Sequence, residues 1–273
     1  MKQLSNSELI VNNNGSVYHL GLLPEHICDT IITVGDPDRV ESVSEHFDTI
    51  RFSHHNREFK TVVGNIGSKE FTVISTGIGT DNIDIVFNEI AFLLNYDLDT
   101  RLQNEKLRSV DIIRLGTSGS VSGANPLDSI VYSKNAVGME DLFKFYENDF
   151  AELHFAGSQY PVIPCSTKLE ALFNEFTASL TLTAKGFYGP QFRNAQLKPK
   201  YSLEQICELK YKGEALGNIE METAGIYGLS ALLGFEAISI NAILANRLDG
   251  SFSANAETTI HRMITRSLEI LCK

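Results

Sequence analysis

Two arginines stand where a guanidinium group could hold a small anion. Arg39 follows Gly35 by four residues in the run Gly-Asp-Pro-Asp-Arg. Arg114 lies inside the run Ile-Ile-Arg-Leu-Gly-Thr, which predicts a buried strand that ends in a glycine turn at Gly116. A planar guanidinium fits phosphate through paired hydrogen bonds. An arginine in a core also needs a partner, so a structural salt bridge is the alternative for Arg114.

Two carboxylates flank a methionine in the run Glu220-Met221-Glu222, at the predicted start of a helix. A carboxylate can accept hydrogen bonds from the two vicinal hydroxyl groups of a ribose, while the methionine makes an apolar contact beneath the sugar. Acidic residues also stabilise the first turn of a helix. Both interpretations stay open at this point.

An aromatic ring, an amide and a guanidinium occur together between Phe187 and Arg193, with Gln191 as the amide. These groups can stack on a flat ring and hydrogen-bond its imide edge. The pattern is weakly specific, and an aromatic residue that packs a loop is the alternative interpretation.

Glycine turns follow several predicted strands. Gly77-Ile78-Gly79 lacks the third glycine of a dinucleotide fingerprint, and residues 116–120 fit neither a Walker loop nor a nucleophile elbow. A strand followed by a glycine turn can still present backbone N–H groups to an anion. A plain tight turn is the alternative for each segment.

The elements that must position these groups alternate between strands and helices. Short β-branched runs predict strands, and apolar residues at 3.6 spacing predict one helix from about Met221 to Leu233 and another at the end of the sequence. This order is typical of an α/β fold with a largely parallel, twisted sheet, where ligands bind beyond the carboxyl ends of strands. The predicted strands are Thr30–Val34, Phe71–Ser75, Asp111–Leu115, Ser129–Tyr132, Leu180–Ala184 and Ala237–Leu244.

Composition excludes several classes of protein. The 273 residues are 43% hydrophobic, which argues against disorder, and 23 basic against 34 acidic side chains give a net charge of −11. This charge repels a phosphate backbone, so we expect no nucleic-acid partner. Four scattered cysteines, with no signal peptide and no long apolar segment, predict a cytoplasmic protein without a membrane partner. We expect one domain over residues 1–273.

The ordered motifs GDPDR, HHNREF, STGIGT, RLGTSG, FYGPQFR, EMETAG and NRLDG together resemble the nucleoside phosphorylase superfamily, and most closely the uridine phosphorylases. The resemblance runs from His19 to about Gly250. It implies a single α/β domain with a central twisted mixed sheet flanked by helices. It gives no function to residues 137–161, which depart from the family pattern.

The resemblance assigns the phosphate and ribose contacts residue by residue. Arg57 and His19 would reach in from a neighbouring subunit, so it implies a homo-oligomer, at least a dimer, with a hexamer as the family expectation. The implied phosphate-binding residues are Gly35, Arg39, Arg57, Arg114 and Thr117. The implied ribose-binding residues are His19, Met221, Glu222, Glu220 and Thr76.

The resemblance also predicts the base. The implied base-binding residues are Phe187, Gln191, Arg193, Arg247 and Gly77. Purine-cleaving relatives carry an aspartate near the position of Asn246 and Arg247, and here only Asp249, two residues further on, could take that place. The glutamine and arginine offer donors and an acceptor to O2, N3 and O4 of a pyrimidine, so a pyrimidine nucleoside is favoured.

The implied activity is reversible phosphorolysis of uridine to uracil and ribose 1-phosphate, with Arg193, Gln191, Glu222 and Arg114 as the catalytic set. Inorganic phosphate is then a co-substrate, and no cofactor is expected. The resemblance implies no firm metal site beyond a structural potassium ion near Glu58 and Ile78, where Asn82 replaces the family's serine. The alternatives are a purine phosphorylase, a hydrolytic nucleosidase or a non-catalytic nucleoside-binding protein.

Overall fold

A computed structural model describes residues 3–273, and the chain divides into two compact units. The first unit contains the described residues up to Ile113 together with Leu229–Glu236 and Cys272. The second unit contains Arg114–Gly228, Ala237–Leu271 and Lys273. The single domain expected over residues 1–273 stays a prediction, and residues 1 and 2 lie outside the described part.

The first unit holds four strands in the order β1-β4-β3-β2. Strand β1 runs parallel to β4, whereas β3 pairs antiparallel with both β4 and β2. All five residues of β1 are buried, as expected for a strand covered on both faces. The elements are β1 (Thr30–Val34), β2 (Thr49–Asn56), β3 (Phe59–Ile66) and β4 (Lys69–Ser75), with helices α1 (Pro37–Ser44) and α2 (Thr80–Asn95).

Both strands of the first unit that were predicted to end in a glycine turn are confirmed at those ends, and a helix follows each turn. Strand β1 ends at Val34, and Asp36 caps α1 by accepting a hydrogen bond from the Asp38 N–H group. Strand β4 ends at Ser75, and α2 begins directly after Gly79, which has φ 90°. Glycine occupies that position because other residues rarely adopt a positive φ.

The second unit holds β5 from Arg114 onward and the later strands and helices, apart from Leu229–Glu236, which contains the end of α5 and the first residue of β12. Their order is β10-β11-β9-β6-β12-β5, and β11 also pairs with β5, so five of the strands close into a ring. The elements are β5 (Asp111–Ser120), β6 (Ile130–Met139), β7 (Ala151–Phe155), β8 (Ser158–Pro164), α3 (Thr167–Phe173), β9 (Thr177–Ala184), α4 (Leu203–Cys207), β10 (Lys210–Tyr211), β11 (Glu214–Glu220), α5 (Thr223–Leu233), β12 (Glu236–Asn246) and α6 (Ala256–Leu271).

The α/β class and the mixed sheet are confirmed, but the expectation of a largely parallel sheet is wrong. Strand β9 runs parallel to both β6 and β11, whereas β12 runs antiparallel to β6, and β11 antiparallel to β5. The hairpin of β7 and β8, which overlaps the segment 137–161, adds further antiparallel pairs beside β6. Hairpin connections of this kind need only short turns, whereas parallel strands need long crossovers.

The glycine turn predicted at Gly116 is also wrong, because β5 continues to Ser120. No helix within residues 3–273 has the length and apolar character that crossing a bilayer requires.

Candidate functional site

The first unit brings together the ends of β1 and β4, where two predicted site segments begin. The Thr76 N–H group donates to the Val34 carbonyl at 2.8 Å, and a Cβ atom on Gly35 would lie 3.5 Å from the Gly77 carbonyl oxygen. Thr76 is 2% exposed, and Gly77 has φ 70°. Gly35, Thr76 and Gly77 therefore form one cluster, with Arg39 half-buried on α1.

His19 is held by a buried carboxylate on α2. Glu89 accepts hydrogen bonds from the backbone N–H groups of His19 and Leu20, and its Oε1 lies 2.7 Å from His19 Nδ1. Asn56, at the end of β2, donates to the His19 carbonyl at 2.7 Å. Four contacts thus fix both the backbone and the ring of the predicted ribose-binding histidine.

Arg57 lies next to this histidine segment. It occupies the tight turn between β2 and β3 with φ 57°, and its guanidinium carbon stands 5.6 Å from the centre of the Tyr18 ring. The side chain is exposed. The two residues predicted to reach a neighbouring subunit, His19 and Arg57, therefore belong to one surface of the first unit, which we call the His19–Arg57 patch.

Arg114 is 5% exposed in the second unit and forms the structural ion pair that was its alternative interpretation. Its Nη2 lies 2.6 Å from Glu222 Oε2 and 3.2 Å from Glu220 Oε2. Its Nη1 donates to Asn241 Oδ1 at 2.8 Å and to Ser239 Oγ at 3.3 Å. Burial alone would lower the pKa of Arg114, but the two carboxylates outweigh it and raise that pKa.

Gly116 makes room for this guanidinium. A Cβ atom at position 116 would overlap Nη1 and Cζ of Arg114, so the arginine side chain lies along its own strand over Gly116. The glycine is required by this close approach rather than by a turn. Thr117 follows on β5 and is half-buried.

The two carboxylates have different tasks. Glu220 accepts hydrogen bonds from the Glu222 and Thr223 N–H groups at the start of α5 and from the Thr183 hydroxyl, which matches the helix-start interpretation. Glu222 directs its Oε2 to Arg114 instead. Met221 lies between them, half-buried and outside the helix.

All five strands of the ring join Arg114 through one network of buried polar side chains, which we call the ring network. The Asn241 amide donates to Ser133, and Ser133 pairs with Thr181 at 2.6 Å. Thr181 donates to Asn218, whose amide reaches Ser118. The network extends from Arg114 and Ser118 on β5 through β12, β6 and β9 to β11.

Three predicted base-binding residues, Phe187, Gln191 and Arg193, share one turn that Arg247 contacts, whereas Gly77 belongs to the first unit. The Arg193 guanidinium donates to Gln191 Oε1 at 2.6 Å and to the Phe187 carbonyl, and its Cζ lies 3.7 Å from the centre of the Phe187 ring. Arg247 Nη2 donates to the Gln191 carbonyl at 3.1 Å. Gln191, Arg193, Phe187 and Arg247 are therefore brought together, and we call them the base cluster.

The base cluster carries two cations that no carboxylate neutralises in the described part of the chain. Burial and then the charge of Arg247 lower the pKa of Arg193 to about 10, and burial lowers the pKa of Arg247. The buried Nη1 of Arg247 has no hydrogen-bond partner among the described residues. Both groups stay protonated at neutral pH, so this cluster favours a ligand with negative charge.

A cavity of about 860 Å³ lies beside the base cluster. Its lining is largely apolar and includes Tyr188, Pro190, Phe192, Arg193, Leu197 and Tyr201.

The segment implied to bind potassium has oxygen-bearing side chains close together. Glu58 and Asn82 both approach Gly77, while the Ile78 side chain is 69% exposed. Within residues 3–273, no group of three or more histidine, cysteine or acidic residues is arranged to hold a metal ion.

Sequence reasoning missed Glu89, Asn56, Asn241 and Ser239, which orient predicted site residues. Ser239 and Asn241 alternate with apolar residues of β12. Glu89 follows Asn88 between apolar residues of α2, and Asn56 lies in its hairpin. Polar residues within an apolar run were the only signal for Glu89, Ser239 and Asn241, because their partners lie far away in the sequence.

The comparisons with known proteins match this fold and set of motifs. A family model described as the phosphorylase superfamily matches residues 29–273. The uridine phosphorylase of Thermococcus kodakarensis is 25% identical over 262 residues, with 95% of this chain and 88% of the relative covered. The uridine phosphorylase of Escherichia coli is 27% identical over 261 residues, with 90% and 92% covered.

A solved structure agrees. The crystal structure of a Trypanosoma brucei nucleoside phosphorylase, described as showing uridine phosphorylase activity, has a TM-score of 0.87 and 26% identity, with 97% of this chain and 99% of that chain covered. The resemblance recognised in the motifs is therefore confirmed, and this chain belongs to the phosphorylase superfamily.

Proposed function

We propose that this chain is a uridine phosphorylase, which converts uridine and phosphate reversibly into uracil and ribose 1-phosphate. The observation that carries the proposal is the base cluster, where an amide and two guanidinium groups without carboxylate partners surround one turn. The relatives described above supply the substrate, because uridine phosphorylase is the activity named for them.

The chemistry is a displacement at the anomeric carbon. An oxygen of inorganic phosphate forms a bond to C1′ while the bond between C1′ and N1 breaks, and the bonding electrons leave with uracil. The transition state has oxocarbenium character, as in other glycosidic cleavages. No protein nucleophile and no cofactor are needed, since phosphate is the nucleophile and the co-substrate.

Uracil leaves with negative charge, which the base cluster is suited to stabilise. Gln191 and Arg193 would hydrogen-bond the imide edge, Phe187 and Gly77 would border the ring, and Arg247 would act on a carbonyl. Preorganised donors of this kind are typically worth about 3–4 kcal/mol each when charge develops in a water-excluded site. The cations keep this capacity because no carboxylate neutralises them within residues 3–273.

The predicted site residues outside the base cluster would bind ribose and phosphate. We propose that Glu222, with Met221 and Glu220 beside it, holds the ribose hydroxyl groups, and that Thr76 and His19 complete the sugar site. Gly35, Arg39, Arg57, Arg114 and Thr117 are the proposed phosphate contacts. The ion pair leaves Arg114 one task that does not depend on phosphate, which is to orient Glu222.

A pyrimidine is favoured over a purine by the surroundings of Asp249. Its carboxylate accepts hydrogen bonds from Asn246 and from the Ser251 N–H and hydroxyl groups. The Ser251 hydrogen bonds lower the pKa of Asp249, so it is a poor proton donor for a purine N7.

We also propose a homo-oligomer, with the family's hexamer as the expected form, in which the His19–Arg57 patch completes a neighbour's site. The exposed Arg57 beside the anchored His19 supports this arrangement. Mixing the variants Arg57→Ala and Arg193→Ala, each defective in a different part of the site, should give more activity than either variant alone if subunits share sites. Activity of purified Arg57→Ala equal to the unmodified protein would contradict shared sites.

Two further features belong to the proposal. A structural potassium ion near Glu58 and Ile78 would use oxygen ligands, the type that both the carboxylate and a backbone carbonyl offer. Melting temperatures in potassium chloride and in tetramethylammonium chloride test it, and equal values would remove the ion from the proposal.

A cytoplasmic location agrees with four cysteines that are all free thiols in the structure.

One assay panel tests the central proposal. Uridine, thymidine, inosine and adenosine are each incubated with and without phosphate, and the products are separated by chromatography. Cleavage of uridine that requires phosphate is the expected result. Cleavage without phosphate would indicate a nucleosidase, preference for inosine a purine enzyme, and binding of uridine without cleavage a non-catalytic protein.

A further inference from the structure

We propose that Phe192 is a positioning residue for the base cluster: its buried ring holds the backbone between Gln191 and Arg193 in a left-handed conformation that keeps those two side chains together. This inference rests on the proposed function, because that proposal gives Gln191 and Arg193 their task.

The backbone of Phe192 is unusual for a residue with a side chain. It has φ 61° and ψ 26°, which is the left-handed helical region. A bulky residue there is strained, because its Cβ atom approaches the following carbonyl group. Six non-glycine residues of the described chain have positive φ, and only Phe192 among them is buried. The others lie in exposed or half-buried turns, so Phe192 has a separate cause.

That cause is the ring. The Phe192 side chain is 8% exposed and packs in the apolar cluster of the second unit with Ile206, Leu209 and Leu216. The backbone contributes as well, since Phe192 donates to the Gly189 carbonyl at 2.9 Å and Arg193 donates to the Tyr188 carbonyl at 3.0 Å. Packing and hydrogen bonds together over-determine the turn, which is the condition under which strained backbone persists.

The conformation decides where the neighbours point. The Arg193 guanidinium donates to Gln191 Oε1 across the turn, two residues back, and stacks on Phe187. Relaxation of Phe192 to an ordinary helical φ would rotate the chain by about 120° at this position and would carry Arg193 away from Gln191. The buried ring is therefore what maintains the arrangement of donors that the leaving base meets.

Three substitutions separate packing from backbone conformation. Phe192→Gly permits the left-handed conformation but removes the anchor, so the turn gains freedom. Phe192→Leu keeps an apolar anchor on an unbranched Cβ. Phe192→Val also keeps apolar packing, but β-branched residues tolerate positive φ poorly. Leu209→Ala is the matched control, because Leu209 belongs to the same cluster and is also 8% exposed.

The measurements are kcat and the KM values for uridine and for phosphate, each at saturating co-substrate. We expect Phe192→Gly and Phe192→Val to lower kcat/KM for uridine by about tenfold or more, since small misplacements of positioning groups have effects of that size. Phe192→Leu should stay within about threefold, and the phosphate KM should hardly change in any variant. Leu209→Ala should lower the melting temperature and leave kcat/KM for uridine near the original value.

Equal kcat/KM values for the leucine and valine variants would overturn the inference, and so would a Leu209→Ala variant that loses as much activity as Phe192→Gly. If Phe192→Gly does not fold, the kcat/KM values of Phe192→Leu and Phe192→Val for uridine still test the inference. The proposed function fails in a different way, namely when the unmodified protein does not cleave uridine with phosphate.

Discussion

Arg114 and Arg193 carry the same guanidinium in opposite electrostatic surroundings. Arg114 is nearly inaccessible and lies against two carboxylates, which raise its pKa. Arg193 lies next to another arginine, and burial with that second charge lowers its pKa to about 10. An arginine that already faces two carboxylates gains less from a further anion than a poorly compensated one does. The difference separates an arginine whose ion pairs also hold the fold from a pair of arginines that can accept the charge of a leaving group.

The strongest test of this difference is Arg114→Met. The substitution leaves Glu220 and Glu222 buried without their cation, and removing one partner of a buried ion pair typically costs about 3–5 kcal/mol. We expect a loss of that size in the free energy of unfolding, measured by urea denaturation. Arg266→Met is the control, because Arg266 also contacts two carboxylates but on the surface, and it should change stability little. Similar losses for both variants would show that burial does not matter here.

Arg193→Ala should act on catalysis rather than on stability. The loss of one preorganised donor to the departing base should lower kcat for uridine by about 10²- to 10³-fold. Steady-state kinetics at saturating phosphate measure the effect. Arg193→Lys keeps the charge but not the planar guanidinium, so its kcat should lie between those of the unmodified protein and the alanine variant. Near-native turnover of the alanine variant would remove Arg193 from the leaving-group site.

Gly116→Ala probes the same Arg114 side chain by crowding it. A methyl group at position 116 would overlap the guanidinium, and overpacking of this kind costs about 1–3 kcal/mol. Gly123→Ala is the matched control, since nothing lies within 4 Å of the position of its Cβ atom. Denaturant midpoints compare the two variants. A Gly116→Ala variant as stable as Gly123→Ala would mean that Arg114 has room to move.

Arg247→Met should have the smallest effect on stability. A lowered pKa means that folding disfavours the charged form, so an apolar replacement should leave the free energy of unfolding within about 1 kcal/mol or raise it. Urea denaturation at neutral pH tests this expectation. A loss as large as that of Arg114→Met would contradict the distinction between the two kinds of arginine.

The sequence predicted the fold best where local chemistry decides the structure. The turns after β1 and β4 follow from glycine and an aspartate cap, and β1 was predicted with its observed ends. The prediction of a turn at Gly116 was wrong because this glycine makes room for the Arg114 side chain, a contact that periodicity does not reveal. The site residues came from the motif resemblance. Glu89 and Asn241 were missed since each acts through a partner at least seventy residues away.

The ring network has a consequence for how the strands find their alignment. Ser133, Thr181, Asn218 and Asn241 each lie on a different strand of a closed ring, and bulges occur next to Ser133 in β6 and before Asn218 in β11. A slip of one residue in any strand would turn its polar side chain to the other face and leave the rest buried without partners. A closed ring also fixes the stagger of all its strands together. The buried hydroxyl and amide groups therefore select the strand alignment. Only one shear of the ring lets all of them pair, and a ring with a different shear would leave some of them buried without a partner.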